Sequence, residues 1–403
     1  MSLPDVVKRT QATFYRQFGA DPGRRVTLVA SPSRLTLLGG EYTEATDGFS
    51  LVAGGSHTLV VAAQRRTDRE CVFYSSNYEE KLKFSLSTLK YEKGDGWANY
   101  LKGVVYFYER TGRKLDGLSL AVASDIPEGA GLGASAALTT AVATACNIVG
   151  NNPLDDATLS KLCQRVEHQF MSMRGDYFSP FACRMAKKDH LVFFDARTFK
   201  PEYVPFPSSE AKLVAIETGV RLKERDAEMK KRLDLFQQVL PDIRKVVPKV
   251  LSLRDVTSEG YDPVRKGLDI IVRKRLDHVV YENERVLKAR DSLRSGDLEN
   301  FGRILCNSHD SLTGKLKVTC TEIDLAYAIA LQAPGCLGAR MAGPGFGGNL
   351  IALVKAKDVD SFVDQVKREY KKQANMTPQV HVNEPSDGAR EVEGVAIPTE
   401  VEG

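Results

Sequence analysis

Residues 127 to 135 read Pro127-Glu128-Gly129-Ala130-Gly131-Leu132-Gly133-Ala134-Ser135, and from Ala134 to Val149 the chain is rich in alanine and threonine at helical periodicity. Glycines at alternate positions lack a Cβ, so backbone N–H groups can converge on an anion at the N-terminus of the helix that follows. The spacing is not G-x-x-x-x-G-K-[ST] and no lysine sits near its end, which excludes a Walker A loop. A tight turn before a helix is the other reading of the same residues.

Outward from this loop the pattern is mixed. Towards the N-terminus a helix is expected at 5–18, a strand at 25–30, and strands at 50–63 and 117–124 with the alternating LKFSLS at 82–87. Beyond the loop, 156–173 reads as a helix and 191–196 as a buried strand. A strand-like run at 213–217 opens a second half with helical patterns at 221–239, 263–295, 297–313 and 321–332. A second glycine cluster, Gly343-Pro344-Gly345-Phe346-Gly347-Gly348, precedes a strand at 350–356 and a helix at 357–373. The expected class is α+β with two domains, 1–205 and 206–390, followed by a loose acidic tail at 391–403.

Composition narrows the function. The chain has 403 residues, 42% apolar and 27% charged, with a net charge of +4. That is the profile of a folded globular protein, without a nucleic-acid or membrane footprint. The basic run Lys230-Lys231-Arg232 is interleaved with acids and reads as a solvated helix face. Seven cysteines lack any C-x-x-C pair and six histidines lack metal-ligand spacing, which argues against disulfides and a zinc site. The N-terminus contains no apolar core of the kind a signal peptide needs, so a cytoplasmic location is expected.

The pattern P-x-G-x-G-L-[GS]-x-S-A-A at 127–137 resembles the phosphate-binding motif of the GHMP small-molecule kinases, among them galactokinase, homoserine kinase and mevalonate kinase. Gly338-Ala339-Arg340-Met341-Ala342-Gly343-Pro344-Gly345-Phe346-Gly347-Gly348 is similar to the C-terminal motif of galactokinases, with Asn349 where cysteine is usual. Ser308-His309-x-Ser311-Leu312 and Arg275-x-x-His278-Val279-Val280-x-Glu282-x-x-Arg285-Val286 stand in that family's order and spacing. The resemblance implies a two-domain fold with nucleotide and sugar between the domains. ATP phosphates would lie along Pro127, Gly129, Gly131, Leu132, Gly133, Ala134 and Ser135, with Mg²⁺ on Ser135 and Glu167. Gly343, Gly345, Phe346, Gly347 and Gly348 form the C-terminal glycine motif.

The departures collect on the sugar side. The family's P-C-G-I-M-D-Q-F, whose aspartate is the proposed catalytic base, aligns with Arg174-Gly175-Asp176-Tyr177-Phe178-Ser179-Pro180-Phe181 and puts Ser179 at the aspartate position. Asp176, three residues earlier, is the possible substitute. The family's G-R-V-N-L-I-G-E-H-T-D-Y becomes Ser33-Arg34-Leu35-Thr36-Leu37-Leu38-Gly39-Gly40-Glu41-Tyr42-Thr43-Glu44. Arg34, which assists catalysis in the family, is kept, as is Glu41. A glycine is inserted, Tyr42 replaces histidine, and Glu44 replaces a sugar-binding aspartate. The leading expectation is therefore a pseudokinase that binds ATP and acts through a protein partner. The alternative is an active sugar kinase using galactose or a related sugar, since phosphoryl transfer depends mostly on positioning and electrostatics.

Overall fold

A computed structural model describes residues 1–19, 23–173, 176–221, 225–247 and 249–395. The Glu41 side chain, Arg174, Gly175 and residues 396–403 of the expected acidic tail lie outside the described residues. In chain order the first elements are α1 (Leu3–Phe18), β1 (Thr27–Leu38), α2 (Glu41–Glu44), β2 (Phe49–Arg65), β3 (Glu70–Ser75), β4 (Glu80–Ser85), α3 (Ala98–Glu109) and β5 (Leu118–Ser124). Next come α4 (Ala134–Val149), α5 (Asp156–Arg165), α6 (Phe178–Met185), β6 (His190–Asp195), β7 (Pro201–Pro205), β8 (Ala211–Arg221), α7 (Arg225–Val246) and α8 (Ser258–Arg265). The last are α9 (Ile270–Arg294), α10 (Leu298–Ser311), α11 (Thr321–Gln332), β9 (Cys336–Ala342), β10 (Gly347–Lys355), α12 (Val359–Ala374), β11 (Gln379–Asn383) and β12 (Arg390–Glu391). Among the described residues no helix is long and apolar enough to cross a membrane.

The elements gather into two compact units that interleave along the chain. Met1–Arg34, Gly54–Ala186 and the chain from Ser386 on form the first; Leu35–Ala53 and Lys187–Pro385 form the second. One cut near residue 205 does not separate them, because β1 and β2 each run across a unit boundary.

In the first unit the strand order is β12-β1-β2-β5-β3-β4, with β3 and β5 parallel and β2 and β5 antiparallel. Helix α1 starts at a capping box, in which Ser2 and Asp5 satisfy each other's backbone N–H. It buries Val6, Val7 and Phe14 against Leu28, Val60 and Ala121 of the sheet. The alanine-rich α4 is buried almost all round, its small side chains admitting α3, α5 and α6 close to its axis. The C-terminal segment corrects the sequence reading, because residues 391–395 are docked rather than loose. Glu391 pairs with Val29, the Val392 N–H donates to the Leu28 carbonyl at 2.9 Å, and the Val395 N–H donates to Gln11 Oε1 at 3.0 Å. Val392 also packs on the apolar cluster beneath α1.

In the second unit residues 49–52 of β2 pair with β6, and β6 with β7. A four-stranded antiparallel sheet, β11-β8-β10-β9, carries α11 and α12 on one face, where Phe362, Val366 and Tyr370 meet Val214, Ile216, Leu350 and Ala352. The helix expected at 156–173 is α5 followed by a π turn at Val166–Phe170, closed by the Met171 N–H on the Val166 carbonyl at 2.9 Å. Such turns are frequent at functional sites, and this one carries Glu167.

Candidate active site

The glycine loop of the first unit is built as its composition requires. Gly129, Gly131 and Gly133 have φ of 69°, 70° and 77°, a left-handed region that a side chain would strain. Gly133 is the N-cap of α4 and no side chain caps that helix, so the amides of its first turn face outward. The loop is pinned by β1: the Arg34 N–H donates to the Leu132 carbonyl at 2.7 Å, and Arg34 Nη2 donates to the Gly131 carbonyl at 3.3 Å. A Cβ on Gly133 would lie 2.9 Å from Arg34 Cβ, and Leu132 and Ala130 are buried beneath.

Five predicted residues come together at this loop. Arg34 is buried, its guanidinium 5.0 Å from the centre of the Phe178 ring. Ser135, in the first turn of α4, donates its hydroxyl to the half-buried Glu167 carboxylate. Burial pushes the Glu167 carboxyl up to about 7, the negative charge of Asp176 pushes the same way, and Ser135 and Arg34 pull it back. Asp176 Oδ1 accepts the Ser179 N–H at 2.6 Å, so the carboxylate sits at the N-terminus of α6. Ser179 itself is buried, and its hydroxyl supplies no charge at neutral pH.

Next to the loop lies a cavity of ≈ 210 Å³ that sequence reasoning missed. Tyr78, Trp97 and Tyr100 wall it, and Gly129, Ala134 and Ser135 join it to the loop. Tyr78 stacks on Trp97 with ring centroids 6.0 Å apart, and Trp97 Nε1 donates to Glu80 Oε2 at 2.8 Å. Asn77 acts as a backbone surrogate at the rim, donating to the Ser124 carbonyl and accepting the Ser124 N–H, both at 3.0 Å. The available signal was the single tryptophan of the chain with Tyr100 three residues on, which meets it on one helix face.

The second unit holds the remaining predicted residues. Tyr42, in α2, is buried, and its hydroxyl donates to the Pro344 carbonyl at 2.8 Å, so it packs against the C-terminal glycine motif. The inserted glycine is accommodated as a turn at Gly39, with φ 68° and no room for a Cβ, which would lie 2.2 Å from the Phe49 carbonyl oxygen. A buried ionic cluster holds that turn: Glu282 Oε1 accepts the Gly39 N–H at 3.2 Å and Arg340 Nη2 donates to the Gly39 carbonyl at 2.9 Å. Burial alone would raise the Glu282 carboxyl, but Arg285 and Arg340 hold it well below the usual carboxylate range. Glu44 ends α2, its N–H on the Gly40 carbonyl at 2.9 Å.

In the glycine motif Gly343, Gly345, Phe346, Gly347 and Gly348 all have positive φ. The motif turns β9 into β10, and a Cβ on Gly345 would lie 2.4 Å from the Val318 carbonyl oxygen. Close backbone approach explains the glycine there. His309 anchors the strand before it: Nδ1 accepts the Met341 N–H at 3.2 Å, and burial together with Arg340 lowers its pKa to about 4.

Similarity to known proteins defines the class. The GHMP kinases N terminal domain matches residues 99–183 and the GHMP kinases C terminal domain matches residues 289–372. A galactokinase of Halalkalibacterium halodurans is 31% identical over 95% of this chain and 97% of its own length, and one of Clostridium beijerinckii 33% over 90% and 94%. The crystal structure of Lactococcus lactis galactokinase complexed with galactose superposes with a TM-score of 0.88 at 27% identity, covering 95% of this chain and 99% of that one. The chain belongs to the galactokinase family of GHMP kinases.

Mg²⁺ is typical of this family, and the donors at the first unit's loop suit it. A carboxylate and a hydroxyl are hard oxygen ligands, and a carboxyl raised by burial and by a neighbouring carboxylate is relieved by a cation. Among the described residues no group of three or more His, Cys, Asp and Glu is placed to hold a metal alone.

Proposed function

We propose that the protein is an active ATP-dependent sugar kinase, transferring the γ-phosphoryl group of ATP to a hydroxyl of galactose or a related sugar. The observation that carries this reading is the set of polar and ionisable side chains Arg34, Ser135, Glu167 and Asp176 gathered beside an uncapped glycine loop. The aromatic cavity of Tyr78, Trp97 and Tyr100 takes the adenine, and the loop amides and α4 dipole take the phosphates. Ser135 and Glu167 are the residues that would hold Mg²⁺, which when bound neutralises charge on the phosphates. Arg34, fixed by the Gly131 and Leu132 carbonyls and by Phe178, presents preorganised positive charge with little freedom left to lose. Tyr42 and Glu44 stand where the family grips its sugar, so the preferred sugar is expected to differ from that of a standard galactokinase.

The pseudokinase reading rests on the departures that collect on the sugar side: Ser179 at the aspartate position, the inserted glycine, and Tyr42 and Glu44 in place of a histidine and an aspartate. Curated relatives that are galactokinases over nine-tenths of the chain lend it no support, nor do they support a protein partner. The test is calorimetric titration with Mg-ATP, followed by coupled detection of ADP with a panel of sugars that includes galactose. Turnover on a sugar supports the kinase; binding without turnover on any sugar supports the pseudokinase.

A further inference from the structure

Transfer to a sugar hydroxyl leaves a proton that must go to a nearby base, and Ser179 cannot take it. Building on the kinase reading, we propose that the general base has moved three residues upstream, to the carboxylate of Asp176. One hydrogen bond fixes that carboxylate, and two further observations place it beside Arg34 and Glu167. Its Oδ1 accepts the Ser179 N–H at 2.6 Å, tying the carboxylate to the backbone of the very residue that replaces the aspartate. Phe178, between the two, carries the Arg34 guanidinium over its ring, so Arg34 and Asp176 meet the same end of α6. Asp176 is also close enough for its charge to act on Glu167. Oδ2 makes no hydrogen bond among the described residues and is free to accept one. The other carboxylates at this site are committed: Glu167 to Ser135, and Glu128 to the Tyr78 hydroxyl.

The step balances. The sugar O–H gives its proton to Asp176 Oδ2 as its oxygen bonds to the γ-phosphorus, and the bond from γ-phosphorus to the bridging oxygen breaks with its electron pair leaving on ADP. Asp176 then returns the proton to solvent.

Asp176→Asn isolates the base, because the amide oxygen still accepts the Ser179 N–H and keeps α6 capped. On the full chain with the best sugar of the panel, kcat is expected to fall about 10²-fold or more while Mg-ATP affinity and melting temperature stay within error. Adding Ser179→Asp to that variant, which returns a carboxylate three residues along the chain in the first turn of α6, is expected to recover at least about tenfold of the loss. Wild-type turnover with Asp176→Asn unimpaired, a loss that tracks Mg-ATP binding or stability, or a loss that Ser179→Asp does not relieve would each overturn the relocation alone. No wild-type turnover on any sugar would remove the kinase reading and this proposal together.

Discussion

Glu167→Gln separates a residue kept for a ligand from one kept for folding. Burial and the Asp176 charge lift the Glu167 carboxyl from its ordinary 4.5 to about 7. Below pH 4.5 both folded and unfolded chains hold the proton and nothing is lost. Between 4.5 and 7 the unfolded chain ionises while the folded one does not, and above 7 the folded state bears the whole penalty of a buried charge. That penalty is roughly 3 kcal/mol as an upper figure, since each tenfold in acidity is about 1.4 kcal/mol. Gln removes it while its carbonyl still accepts the Ser135 hydroxyl. In urea unfolding without nucleotide, Glu167→Gln should be more stable than wild type at pH 8 by about 1 to 3 kcal/mol, with the gain shrinking towards zero near pH 4.5. The same variant should bind Mg-ATP more weakly and lose turnover. A variant less stable than wild type at pH 8, or a gain that does not change with pH, would refute the reasoning.

His309 and His278 are buried with pKa values lowered to about 4 and about 3, so their contribution to stability is full above pH 6.5 and lost as pH falls from there towards those values. Equilibrium unfolding from pH 7 to 4 should show that acid loss, and it should be smaller in His309→Asn. Gly133→Ala forces a side chain into a φ of 77° against Arg34 and should cost about 1–3 kcal/mol and weaken Mg-ATP binding, read by melting temperature and calorimetry. Trp97 is the only tryptophan, so its fluorescence should change on adding ATP. Trp97→Ala should weaken ATP binding about tenfold or more if the cavity takes the adenine; unchanged fluorescence and affinity would place the base elsewhere.

How far the sequence reached depended on whether the signal was local. Helix α4 spans the residues that its alanine-rich periodicity predicts, because a buried helix opening from a glycine turn is specified within twenty residues. The edge strand β11 had no comparable signature, since its pairing partner β8 lies far along the chain. The loop at 127–135, Arg34 and Glu167 were readable as residues of a motif, yet the Ser135–Glu167 hydrogen bond depends on a π turn that no spacing rule encodes. The aromatic cavity stayed hidden because Tyr78 and Trp97 meet only through the fold. Val392 in the C-terminal segment was misread for the opposite reason. An acidic composition signals solvent, while one apolar residue and two backbone hydrogen bonds suffice to dock a strand.

The most direct test of the kinase reading is ³¹P NMR of purified protein incubated with Mg-ATP and each sugar of the panel, run beside Glu167→Gln. A sugar-phosphate resonance that grows with ADP and is absent from the Glu167→Gln sample is the predicted result. Bound ATP that stays intact with every sugar, in wild type as in the variant, would contradict it.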